Sequence, residues 1–263
     1  MSYVVGTDSR QMMMGVWSVE DEVPQDSPTR FIEMFVESLD PEKLGFRHAV
    51  PAETGRPAYH PGDLLKLYLY GYLNKIHSSR RLMWECAWNI ELWFMLNRLQ
   101  PDFRTIADFR KQHRKLLRKI FVLFVRSCRE MSSWSARRYV PVIMYGDPRF
   151  SLQQIPDIAQ NSPHNNFGKL KRAEKRVMVF IRRDIRKQKL RQQTSEHPFG
   201  TIKHYDDDRH FLCRGKEKVA AEFALSALSY NIRRAITLCG GVQKLIERYR
   251  SIAMPKIRKI AEI

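Results

Sequence analysis

Thr105-Ile106-Ala107-Asp108-Phe109-Arg110-Lys111-Gln112-His113-Arg114-Lys115-Leu116-Leu117-Arg118-Lys119-Ile120-Phe121 carries the plainest helical signal of this chain. Thr105 with Asp108 three residues on is a relative of the capping box, in which a hydroxyl and a carboxylate serve orphan amides at a helix start. Behind it Phe109, Leu116, Ile120, Leu123 and Cys128 recur at the spacing of one helix face. The pattern predicts a helix running to about Met131. Arg110, Lys111, Arg114, Lys115, Arg118 and Lys119 fill its other faces. Such a row is either an ordinary solvated face or a surface for a polyanion's backbone.

Upstream the same period recurs. A helix is predicted from Arg30, with Thr29 as its cap and Phe31, Met34, Phe35 and Leu39 on one side. Pro51, Gly55, Pro57 and Pro61 break any regular element before Gly62. From Gly62 to about Ile76, Leu64, Leu65, Tyr68, Leu69, Tyr72 and Leu73 give a broad apolar stripe. Ser78 or Ser79 caps the next helix, which holds Leu82, Cys86 and Trp88, and 89–99 is a further apolar segment. Residues 29–134 thus read as one helical unit with short connections. Residues 1–28 read as a flexible lead-in ending in the turn Pro24-Gln25-Asp26-Ser27.

Downstream the character changes. Tyr139-Val140-Pro141-Val142-Ile143-Met144-Tyr145 reads as a buried strand, closed by the turn Gly146-Asp147-Pro148. Residues 151–168 show no period. Residues 169–191 hold eleven basic residues, Lys175, Arg176, Arg182, Arg183 and Arg191 among them, against Glu174 and Asp184. Leu170, Ala173, Val177, Phe180 and Ile181 keep helical spacing, so this is a helix with a strongly positive remainder, read as a nucleic-acid contact. A tail helix is predicted over 216–238, with Val219, Phe223, Ile232 and Ile236 on one side and Gly240-Gly241 as its stop. A short helix follows from Val242, and Lys256, Arg258 and Lys259 form a last basic patch.

The 263 residues carry a formal net charge of +18 and a sequence pI near 10.0. At 43% hydrophobic content the chain can bury a sizeable core. Its charge points to a polyanionic partner, nucleic acid before anionic membrane. No apolar run approaches the ~20 residues that span a bilayer, and no secretory leader is evident, so a cytoplasmic, nucleoid-associated protein is expected. Cys86, Cys128, Cys213 and Cys239 are scattered without a Cys-x-x-Cys pair, which suits neither a zinc site nor a disulfide framework.

The chemistry lies in Glu196-His197-Pro198-Phe199-Gly200-Thr201-Ile202-Lys203. A carboxylate seven positions before a lysine offers a ligand for a divalent metal and a cation for a phosphate. Taken alone, a glutamate in a first turn is more often a partner of the helix dipole. His197, His204 and His210 suit phosphate contacts or packing better than a metal cluster, and 206–208 reads as an exposed acidic turn.

This segment resembles the third-carboxylate region of DDE-type bacterial insertion-sequence transposases. Pro101-Asp102-Phe103-Arg104-Thr105-Ile106-Ala107-Asp108-Phe109-Arg110 resembles the signature of that family's helical N-terminal domain. Phe211-Leu212-Cys213-Arg214-Gly215, Val219, Glu222 and Tyr230-Asn231-Ile232-Arg233-Arg234 resemble its C-terminal helix. The resemblance implies two aspartates and one glutamate on an RNase H-like fold, holding two divalent metals, Mg²⁺ or Mn²⁺, for DNA strand cleavage and transfer. It makes Glu196 the third carboxylate and Lys203 a DNA contact, and Asp147 the first carboxylate and a metal ligand with Glu196. Where the family pattern has Tyr and Arg upstream of the glutamate, this chain has Lys189 and Gln192, with Arg191 alongside. The family's Asp-Gly order is inverted at Gly146-Asp147. Only 48 residues separate Asp147 from Glu196, and Asp157 and Asp184 are the only aspartates between them. Neither falls on an expected strand, and a strand–helix–strand unit takes ~30 residues.

The expected architecture is mainly α. A helical N-terminal domain leads into a partial, vestigial RNase H-like α/β core with a C-terminal helical tail, residues 135–263 forming this truncated catalytic region. The expected function is Mg²⁺-dependent transposition on double-stranded DNA, both element terminal inverted repeats and target, impaired by loss of the core's middle. The expected DNA contacts are Lys203, Arg191, Lys175, Arg176, Arg182, Arg183, Arg110 and Arg114. Homo-oligomerisation is expected and a membrane partner is not. The competing expectation is a catalytically dead DNA-binding remnant that competes with an intact transposase or joins it in a mixed oligomer. A decayed, poorly folding product is the third.

Overall fold

The computed structural model describes residue 6 and residues 18–51, 53–54, 57–131, 200–205 and 211–253. Among these the regular structure is helical, without a strand. The elements are α1 (Val19–Glu22), α2 (Pro28–Glu37), α3 (Pro41–Leu44), α4 (Pro61–Leu73), α5 (Ser79–Trp88), α6 (Ile90–Leu96), α7 (Phe103–Gln112), α8 (Arg114–Met131), α9 (Lys216–Cys239) and α10 (Val242–Arg248). Two π-helical turns, Thr201–Tyr205 and Tyr249–Ala253, complete them. The strand expected at 139–145, the basic helix at 169–191 and the boundary at residue 134 lie outside the described residues.

Local caps set the helix starts, often one step from where the sequence pattern puts them. α2 is capped by Ser27, whose Oγ accepts the Thr29 amide, with Pro28 at its first position; Thr29 is not the cap. α1 lies within the expected lead-in and has a full capping box, Ser18 with Asp21. Arg30 on α2 holds it by donating to the Glu20 and Val23 carbonyls at 2.9 and 2.8 Å. These are orphan acceptors at a helix C-terminus, so one guanidinium ties the entry turn to α2.

α4 is the central helix of the head. Pro61 begins it, the His60 ring nitrogen accepts the Gly62 amide, and Leu65, Leu67, Tyr68, Leu69 and Tyr72 are fully enclosed. Gly71 cannot carry a side chain, because a Cβ there would meet the Ile76 carbonyl oxygen at 2.6 Å and Leu82 at 2.7 Å. Lys66 is buried too, with Glu37 at 3.5 Å and Glu33 at 3.9 Å across on α2.

The expected single helix from Thr105 to Met131 is two helices. Asp102 caps α7, accepting the Arg104 amide at 3.0 Å, which puts Thr105 inside the first turn. At His113 the backbone leaves helical geometry and α8 begins. The buried His113 ring causes the break. Its Nδ1–H donates to the Phe109 carbonyl and its Nε2 accepts the Arg47 amide, each at 3.0 Å. The ring also stands 5.0 Å from Phe46 and 4.7 Å from Phe109. Only neutral imidazole can donate from one nitrogen and accept at the other. Burial accordingly pushes its pKa below the usual 6.5.

α9 agrees with the expected tail helix and ends at Gly240, whose φ of 79° is the left-handed stop. Its burial is not a stripe. From Ala220 through Ile232 nearly every residue is enclosed except Phe223, because α9 lies between α8 and α4. Ala220, Ala221, Ala224, Ser226, Ala227 and Ser229 keep the side chains short enough for close approach. The serine hydroxyls return to backbone carbonyls, Ser226 to Glu222 and Ser229 to Ser226.

The tail then enters the head's core. Tyr249 is wholly buried, with ring edges toward Phe31 and Phe35 at 5.6 and 5.9 Å. Its hydroxyl donates to Ser38, which itself donates to the Phe35 carbonyl. Residues 18–131 and 211–253 therefore share one hydrophobic core, and the buried Ile202 belongs to it.

Candidate functional site

Arg110 and Arg114, the last turn of α7 and the first of α8, face the tail. Together with Ala107, Lys111, Cys213 and Lys218 they line a cleft of about 190 Å³. Its lining holds four basic residues, beside Ala107 and Cys213, and no carboxylate. Because α9 docks on α8, Lys218 at the start of α9 completes a charge group that α7 and α8 begin.

The loop that brings Cys213 to the cleft is held from below by a buried carboxylate. Glu222 accepts the Leu212 amide at 2.9 Å and the Cys213 amide at 3.1 Å. A carboxylate with two charge-assisted bonds to backbone amides is a fixed strut. Glu222 also lies within electrostatic range of Arg110. Arg110 is half-buried with its guanidinium over the Tyr68 ring, 5.9 Å from the centroid, and its Nη1 is enclosed without a hydrogen-bond partner. Tyr68 is positioned by donation to the Ile106 carbonyl at 2.7 Å. Burial raises the Cys213 thiol above its usual range, although Arg110 and Arg114 oppose the shift, so the cleft holds a neutral thiol beside four positive charges. Concentrated positive charge on a half-open wall raises local anion concentration.

Of the residues expected to act on DNA, the structure brings Arg110 and Arg114 together in this cleft. Lys203 is exposed on the first π-helical turn, one residue after the buried Ile202. Asp147, Lys175, Arg176, Arg182, Arg183, Arg191 and Glu196 lie outside the described residues. Among the described residues no group of three His, Cys, Asp or Glu side chains could hold a metal ion. Glu222, the one buried carboxylate among them, spends both oxygens on amides and does not fit a metal. No helix among the described residues is long and apolar enough to cross a membrane.

Sequence reasoning passed over Lys218, Cys213 and Glu222 as parts of this site. Glu222 carried a faint signal, a lone acid in the enclosed part of a helix otherwise filled with Ala, Ser and Leu.

Two family comparisons give the class. A transposase domain (DUF772) matches residues 17–112, and a transposase DDE domain matches residues 164–236. The chain belongs to the DDE transposases of insertion sequences. The first match covers α1 to α7; the second includes Glu196 and Lys203, reaches into α9, and begins downstream of Asp147. No curated protein and no solved structure matches the chain.

Proposed function

We propose that this transposase binds double-stranded DNA at the ends of its element through the cleft-bearing face of α7 and α8. The observation that carries this reading is the cleft itself, lined by four basic residues from three helices with no acid among its lining residues. Such a wall suits backbone phosphates, which position a protein on duplex DNA without reading sequence. Arg110 supplies a fixed guanidinium because Tyr68 stacks under it, and Lys111, Arg114 and Lys218 add charge around it. The basic residues Lys175, Arg176, Arg182, Arg183 and Arg191, with Lys203, extend the contact in this reading.

DDE chemistry uses divalent metal in general, which activates the attacking oxygen and stabilises the leaving one. Glu196 and Asp147 are the proposed ligands. Glu196 precedes the buried Ile202 by six residues, at most about 20 Å of extended chain, which ties it covalently to the helical unit. Cleavage is proposed to be impaired, since no third carboxylate stands on an expected strand between the two. The second reading, a DNA-binding remnant that competes with an intact transposase or joins its oligomer, is favoured by one fact. The DDE match starts at residue 164 and leaves Asp147 out.

The test is nicking of a duplex bearing the element's ends with Mg²⁺ or Mn²⁺, beside Glu196→Ala and Arg110→Glu/Arg114→Glu. Metal-dependent nicking that Glu196→Ala removes, with binding intact, supports the enzyme. Salt-sensitive binding without nicking supports the remnant. Duplex affinity and salt slope unchanged in the charge-reversed variant refute the interface; loss of both contacts should flatten the slope by about two.

A further inference from the structure

α5 carries a second surface that the duplex-binding face does not use. Its inner side is Leu82 and Cys86, both fully buried. Its outer side holds Trp84 and Trp88, 63% and 78% exposed. At about 100° per residue, Arg80, Trp84, Trp88 and Arg81 fall within one arc of about 100°. Two neighbouring tryptophans left in water oppose the usual burial of such side chains. Exposed large apolar residues elsewhere among the described residues are Val50, Phe211 and Leu212.

The company these tryptophans keep identifies the occupant. Arg80 lies over the Phe103 ring at 5.3 Å, and Arg104 lies over the same ring at 5.7 Å. The start of α7 thus continues the surface as an aromatic ring between two guanidiniums. Arg81, highly exposed, approaches Glu85 at 3.7 Å, the one carboxylate α5 offers. With a formal net charge of +18, the chain favours a polyanion over a second protein as the occupant of a Trp/Arg face. Beside the Phe103 ring and the Glu85 carboxylate, this face presents indole and guanidinium groups, the pair that stacks on bases and neutralises phosphates.

We infer that Trp84 and Trp88 on α5, flanked by Arg80 and Arg81, form a stacking platform for unpaired nucleobases of a single-stranded DNA segment. The inference rests on the reading of DNA as the partner and adds a strand-specific contact to it. Recognition is sequence-tolerant, because every base presents a π-face. The arginines supply the charge, and the indoles supply the preference for a strand that has bases to offer.

The experiment uses the full chain and three fluorescent probes of equal length: oligothymidine, an abasic strand with the same phosphates, and a blunt duplex. The wild-type protein should bind oligothymidine more tightly than the abasic strand. Trp84→Ala/Trp88→Ala should erase that difference, weakening oligothymidine binding by about thirtyfold or more while leaving duplex and abasic affinities unchanged. Trp84→Phe/Trp88→Phe, which keeps π-faces, should recover part of the loss. An equal loss on all three probes would mean a structural role and overturn the proposal. So would an undiminished preference for oligothymidine in the alanine variant, or a loss of self-association in place of strand affinity. A wild-type protein that binds no probe would overturn the DNA reading itself.

Discussion

Tyr249→Ala is the sharpest test of whether the tail belongs to the head's core. The ring is completely buried, meets Phe31 and Phe35 edge-on at 5.6 and 5.9 Å, and its hydroxyl donates to Ser38 at 3.1 Å. Truncating a buried aromatic residue to alanine costs about 3–5 kcal/mol. Ser38 keeps its bond to the Phe35 carbonyl, so little is added for a stranded polar group. Tyr249→Phe separates the two contributions, since losing one net hydrogen bond costs about 1 kcal/mol. Urea unfolding followed by far-UV circular dichroism reads both. A stability of ~5–15 kcal/mol, ordinary for a domain, should fall by a fifth or more for alanine and by a fifth at most for phenylalanine. The transition should remain single, because head and tail unfold together. An alanine variant within about 1 kcal/mol of wild type would refute the shared core. Two separate transitions, of which only one moves, would refute it as well.

Two further expectations follow from buried polar groups. Glu222→Gln keeps the shape of the strut but sets an amide donor against a backbone amide, so it should cost about 1–3 kcal/mol in thermal unfolding; a cost under about 0.5 kcal/mol would show that the 211–215 loop is not held there. His113 has its folded pKa below the ordinary 6.5, so below that pH the unfolded chain binds the extra proton first. The stabilisation from neutral His113 is therefore fully present above pH 6.5 and fades as pH falls beneath it. His60 is lowered by burial as well and contributes in the same direction. A His113→Gln variant should show a shallower acid slope than wild type, and an identical slope would remove His113 from the account.

Local signals made the helices legible. Pro61 before an apolar stripe, Gly240 after one, and the 3.6-residue period between them depend on neighbours a few positions away. The cap of α7 was misplaced because Asp102 and Thr105 are both competent cap residues, and only backbone conformation separates them. The break at His113 could not be seen, since it depends on an amide at Arg47, far back in the chain. The breadth of burial on α9 was missed for a similar reason. Its alanines and serines are mild by composition and become core only when α8 and α4 close on them. Half of the cleft was legible as the basic row of α7 and α8; Lys218 and Cys213 join it only through tail docking. The strand reading at 139–145 and the ligands Asp147 and Glu196 belong to residues that the structure does not describe.

The shared core has a consequence for how this chain is assembled. Residues 18–131 and 211–253 bury their apolar faces in one cluster, so the stretch between them is a closed loop in the thermodynamic sense. Replacing residues 135–195 by a Gly/Ser linker of about 15 residues shortens that stretch between two- and threefold. Each halving of a flexible loop lowers its closure cost by about 0.6 kcal/mol, so the shortened chain should be more stable by about 1 kcal/mol. It should also keep salt-dependent duplex binding through Arg110, Lys111, Arg114 and Lys218, with a smaller slope because the basic run at 169–191 is gone. Far-UV circular dichroism on melting and fluorescence anisotropy with a duplex measure these two outcomes. A deletion chain that fails to fold would mean that 135–195 supplies part of the core. One that folds but loses all duplex binding would move the interface from the cleft to the removed run, and Arg110 and Arg114 would be left with packing roles alone.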